Sequence, residues 1–100
     1  MFIILWRYAV RPDRIDAFIE HYKSDGSWAR LFRSSTGYLG TDLIRATDNP
    51  VSFVTIDRWD SAESFERFKR ERREDYDRLD RVCESLTVTE ELIGRYNNLT

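Results

Sequence analysis

Hydrophobic and polar positions repeat with two periods along the chain, and each change of period marks an element. Residues 2–10, FIILWRYAV, are β-branched and aromatic with Arg7 as the lone charge, and Arg11-Pro12-Asp13 closes the run, so a strand is predicted. Phe2, Ile4, Trp6 and Tyr8 fall on one face and Ile3, Leu5 and Ala9 on the other. Both faces are apolar, as in an inner strand covered on two sides. Asp13 is placed to cap a helix in which Ile15, Phe18, Ile19 and Tyr22 recur at helical spacing. Ser24-Asp25-Gly26 interrupts it, and Trp28, Leu31 and Phe32 make a second, shorter helical stripe. Period two returns over residues 38–46, Asp48-Asn49-Pro50 predicts a hairpin turn, and 51–59 forms the third strand. That strand carries Phe53, Thr55, Asp57 and Trp59 on one face and Val54 and Ile56 on the other. Asp60, with Glu63 three residues on, resembles a capping box for a long helix bearing Phe65, Phe68, Tyr76, Leu79, Val82 and Leu86. Residues 87–96 are β-rich and give the fourth strand.

The order βαββαβ, in one domain over 1–100, is the ferredoxin-like α+β arrangement: an antiparallel sheet with both helices on one face. Two helices cover one face, yet strands one and three are apolar on both. The remaining face is expected to meet a second copy of itself, giving a homodimer through the sheet.

Composition narrows the chemistry. Sixteen Lys and Arg against eighteen Asp and Glu leave a net charge of −2, so no nucleic-acid partner is expected from bulk attraction. Nine of the ten residues 66–75 are charged. Glu66/Arg70, Glu74/Arg78 and Asp77/Arg81 stand at i, i+4 with the acid first, the pattern of a solvated, salt-bridged helix face. One Cys, Cys83, and one His, His21, exclude a disulfide framework and leave too few ligands for a metal centre. No signal peptide or membrane-length apolar run is visible, and a lone thiol fits a reducing, cytoplasmic setting. Six Phe, five Tyr and three Trp are the conspicuous surplus.

Three stretches, Gly26-Ser27-Trp28, Gly37-Tyr38-Leu39-Gly40-Thr41-Asp42-Leu43 and Asp57-Arg58-Trp59-Asp60-Ser61-Ala62-Glu63-Ser64-Phe65, resemble the antibiotic biosynthesis monooxygenase (ABM) domain, a branch of the dimeric α+β barrel superfamily. The resemblance covers essentially the whole chain. It implies a homodimer whose subunits each enclose a small-molecule cavity between sheet and helices, and a cofactor-independent oxygenation of a planar aromatic such as a phenol, quinol or polyketide, with neither metal nor flavin. A non-catalytic ligand-binding or regulatory module on the same barrel is the alternative. The haem-degrading branch of the family is not implied: it uses a histidine on the second helix, none follows His21, and Trp6 stands where that branch carries Asn.

With the helices over the Trp59 face, as the resemblance suggests, the sheet contributes Ile4, Trp6, Tyr8, Phe53, Thr55, Asp57 and Trp59 to such a cavity. The helices contribute Phe18, Tyr22, Trp28, Phe32, Phe65 and Phe68. The same rings could equally fill a core. Asp57 is the sharpest residue, because a carboxylate on an apolar strand face must be paired or have its pKa raised. A raised pKa suits a general base that removes a phenolic proton; an arginine partner is the plainer role. Tyr8 is the second catalytic candidate, placed with Thr55 to orient a hydroxyl or carbonyl. Trp6 and Trp59 are expected to stack on a planar substrate. Arg72 lies on the apolar stripe between Phe68 and Tyr76, either snorkelling outwards or meeting an anionic oxygen in the cavity. Cys83 reads as a small hydrophobe.

Overall fold

A computed structural model describes residues 1–99. The strands are β1 (Phe2–Val10), β2 (Tyr38–Arg45), β3 (Ser52–Trp59) and β4 (Thr87–Asn97). They form one antiparallel sheet in the order β2-β3-β1-β4. Between β1 and β2 lie α1 (Ile15–Tyr22) and α2 (Ser27–Arg33); between β3 and β4 lie α3 (Ala62–Glu71) and α4 (Arg73–Cys83). This is the ferredoxin-like α+β fold, with the first helical segment interrupted where expected and the long helix predicted after β3 divided in two.

The first division lies at Gly26, where a Cβ would come within 2.6 Å of the Glu20 carbonyl oxygen, so the chain turns back tightly against the end of α1. His21 Nδ1, 2.8 Å from Ser27 Oγ, joins the two helices across that turn. The second division lies at Arg72, whose φ of −115° and ψ of 29° leave the helical region. It redirects the chain so that Phe65 and Phe68 pack on Trp59 while Tyr76 meets Trp28.

Several local expectations are corrected. Asp13 caps no helix: it lies in a short 3-10 turn, Pro12–Arg14, and α1 begins without a side-chain cap. The cap of α3 is Ser61 rather than Asp60, its Oγ accepting from the Ser64 backbone N–H. Val82 is 53% exposed, because the inward stripe of α4 runs through Tyr76, Leu79 and the buried Cys83 and Val82 lies one residue off it, and Leu86 is buried in a 3-10 turn instead of the helix. The expected i, i+4 pairs on the second helix do not form. Arg73 pairs with Asp77, Arg78 and Arg72 with Asp75, and Glu66 reaches across to Arg95 of β4.

The helices cover the face bearing Phe2, Ile4, Tyr8, Phe53 and Trp59. Trp59 and Phe18 are completely buried, and Phe68 and Leu86 nearly so. On the opposite face the register aligns Ile3, Leu5, Val54, Ile56 and Ile44. Two ion pairs flank this apolar surface, Arg7–Glu91 at 2.8 Å and Arg58–Asp42 at 2.9 Å. Among the described residues no helix is long and apolar enough to cross a membrane.

Candidate functional site

The helix-covered face of β3 reads large, small, small, large: Phe53, Thr55, Asp57, Trp59. The two short residues leave a gap between the rings at either end. Register deepens it, since Thr41 of β2 stands opposite Asp57 and Trp6 of β1 opposite Thr55. The resulting cavity has a volume of about 220 Å³. Trp6, Tyr8, Thr41, Thr55, Asp57 and Glu90 line it from the sheet; Tyr22, Trp28, Phe32, Tyr76 and Asp80 line it from the helices.

The fourteen aromatics thus divide. Trp6, Tyr8, Tyr22, Trp28, Phe32 and Tyr76 surround the cavity. Phe53, Trp59, Phe65 and Phe68, expected as ligand contacts, do not line it. Trp59 packs edge-on against Phe65 and Phe32 with ring centroids 5.6 Å apart in each case, and lies 5.4 Å from Phe68. Phe53 lies against Phe18 at 5.1 Å. These rings are large enough to close the space on themselves. Arg72 is also elsewhere, at an outer notch with Ser64 and Arg67, where it pairs with Asp75 at 3.6 Å. It snorkels outwards because the helix breaks at that residue. Cys83 is buried, and burial raises its thiol pKa.

Asp57 has no arginine partner among the described residues. Its Oδ1 accepts a hydrogen bond from Thr41 Oγ1 at 2.6 Å. Thr41 has one proton to give, so the neighbouring Tyr38 hydroxyl, 2.6 Å from the same oxygen, donates to it. The relay runs Tyr38 to Thr41 to Asp57. Burial raises the Asp57 pKa to about 6, against the opposing influence of the Thr41 hydrogen bond and the Arg58 charge. Tyr8 Oη lies 3.2 Å from Thr55 Oγ1, and burial holds its phenol well above the ordinary range. Tyr76 is likewise raised by burial, to about 12. At neutral pH the cavity therefore presents neutral phenols and a mostly ionised Asp57 of raised basicity.

Four lining residues escaped the sequence reading as site members: Thr41, Tyr76, Asp80 and Glu90. Tyr76 was legible as part of the apolar stripe, and Asp80 lies one helical turn beyond it. Thr41 and Glu90 depend on strand register, Thr41 opposite Asp57 and Glu90 opposite Tyr8, which no local pattern supplies.

An α+β sheet with helices on one face and an aromatic cavity between them defines a class of small, cavity-bearing ferredoxin-like proteins. Within that class, residues 1–73 match the model for antibiotic biosynthesis monooxygenase, and the chain belongs to this ABM family. The fold resembles that of SnoaB from Streptomyces nogalater, described as a cofactor-independent oxygenase, with a TM-score of 0.76, 19% identity, and coverage of 99% of this chain and 93% of that one. It also resembles Rv0793 from Mycobacterium tuberculosis (TM-score 0.72, 20% identity, 99% and 95% covered). A conserved protein from Methanosarcina mazei is similar too (TM-score 0.74, 12% identity, 98% and 92% covered). No curated protein sequence matches the chain significantly.

Proposed function

We propose that the protein is a cofactor-independent monooxygenase that takes a small planar phenol or quinol into this cavity and deprotonates it with Asp57. The observation that carries the reading is a buried carboxylate with a pKa of about 6 that lines an aromatic cavity and has Thr41 as its hydrogen-bond partner. The raised value narrows the gap to a phenol's pKa of about 10, which favours proton transfer to the carboxylate. The phenolate formed is electron-rich at the ring carbons. Dioxygen takes electrons from it, one oxygen atom bonds to a ring carbon, and the other leaves as water. For a simple phenol the sum is phenol plus O2 giving quinone plus H2O, with the substrate supplying all four electrons. Tyr8 and Thr55 stand where they can orient the substrate oxygen, and Trp6 and Trp28 offer faces for stacking. Membership of the ABM family and the likeness to SnoaB support the same reading.

The cavity size also supports it. A dry cavity of roughly 150 Å³ suffices for benzene. At about 220 Å³ this one has room for a ring with substituents. The uncovered apolar sheet face supports a homodimer as the working form.

The test is dioxygen uptake by the chelator-treated protein with a panel of phenols and quinols. We expect uptake with at least one member, at one O2 consumed per quinone formed and without hydrogen peroxide release. Absence of enzyme-dependent uptake across the panel contradicts the oxygenase reading and leaves the ligand-binding module.

A further inference from the structure

The cavity is strongly asymmetric in charge although the chain is nearly balanced. Three carboxylates line it, Asp57 within and Asp80 and Glu90 as exposed residues at the rim, and no Lys, Arg or His does among the described residues. None of the three takes part in an ion pair among the described residues. Arg73 and Arg78 of α4 are instead turned to Asp77 and Asp75, and Arg81, beside Asp80 in sequence, neither lines the cavity nor pairs with Asp80. Lys69 stands 4.8 Å from the Tyr76 ring centroid, but it neither lines the cavity nor pairs with Asp80. Glu90, though exposed as a whole residue, already feels the crowding: partial desolvation of its carboxyl and the Asp80 charge both raise its pKa. The cavity walls around these acids are built largely from Trp and Tyr, side chains whose ring faces attract cations through the ring quadrupole. A ligand carboxylate entering this space would be desolvated against three like charges, whereas an ammonium would meet acids and π-faces together.

We infer that the ligand is an aromatic bearing a protonated amine, with its ring between the aromatic walls and its ammonium at the rim formed by Asp80 and Glu90. This rests on the reading of the cavity as an aromatic-ligand site given above and names the class of ligand within it.

Three probes share a phenol and differ in the charge of a short side chain: tyramine, 4-ethylphenol and 3-(4-hydroxyphenyl)propionate. Isothermal titration calorimetry of the intact protein at neutral pH and moderate salt is expected to rank them amine, neutral, acid, with about tenfold in Kd at each step. In Asp80→Asn/Glu90→Gln the preference of amine over acid should collapse to within about threefold. Equal binding of all three probes, or an unchanged ranking in the double variant, overturns the inference and leaves the aromatic-ligand reading standing. Failure of every probe to bind overturns both. Circular dichroism of the double variant confirms that it is folded.

Discussion

Asp57 is a carboxylate kept basic by burial and kept in place by one short hydrogen bond. A strand residue flanked by Phe53 and Trp59 was visible as an anomaly in the sequence, because charge on an apolar face demands a reason. The identity of its partner was not visible, since Thr41 reaches it only through the β2–β3 register. The energetic consequence follows from linkage. The folded-state pKa of about 6 lies above the ordinary carboxylate value, so the folded chain binds the proton more tightly than the unfolded one. Asp57 therefore favours folding at acid pH, and that contribution disappears as pH rises through about 6. Asp57→Asn keeps an oxygen for Thr41 and removes the buried charge. Its unfolding free energy at about pH 7.5 should exceed that of the parent by on the order of 1–3 kcal/mol, with the difference shrinking toward about pH 4. Urea titrations at the two pH values check this. A variant less stable at the higher pH would mean that the charge is compensated in the folded chain.

The strands were the most legible elements, because alternation and bounding turns are local signals. The third strand begins one residue later than expected, at Ser52, and the second ends one earlier, at Arg45. Helix continuity was harder to read. Phe65, Phe68 and Tyr76 lie on one stripe in sequence, but the chain leaves the helical region at Arg72, with the first two packed on Trp59 and the third against Trp28. That break leaves Arg72 outside, paired with Asp75, while Val82 is exposed because Cys83, and not Val82, continues the Tyr76–Leu79 stripe of α4. Capping also shifted by one residue at α3, since Asp60 and Ser61 are both competent caps and only backbone conformation separates them. The outer face of the sheet carries the proposed association. Ile44 is 49% exposed there, beside the partly buried Ile3, Leu5, Val54 and Ile56. Sedimentation velocity at micromolar concentration is expected to give twice the 12.0 kDa chain mass, and Ile56→Glu to reduce it to one chain. A monomeric parent protein would contradict the sheet-to-sheet dimer.

At the scale of the molecule, two populations of aromatic side chains serve different ends. One closes around Trp59 and fixes the helices to the sheet; the other rings a polar floor of Thr41, Thr55 and Asp57, and Phe32 belongs to both. The sequence showed the surplus of rings and their common face, but whether they meet depends on what lies between them, and β3 places two short side chains there. This floor, through Asp57, starts the proposed oxygenation, which needs only substrate and dioxygen. The most direct test follows kcat/KM for dioxygen uptake by the parent protein and by Asp57→Asn, from about pH 5 to about pH 8, with the phenol or quinol that the parent oxidises fastest. The parent should gain activity as pH rises and level off above about 6, as the carboxylate loses its proton. The variant should be slower by roughly 10²–10⁴-fold at the plateau and should lack that titration. Equal rates for the two proteins, or the same pH profile in both, would contradict the account.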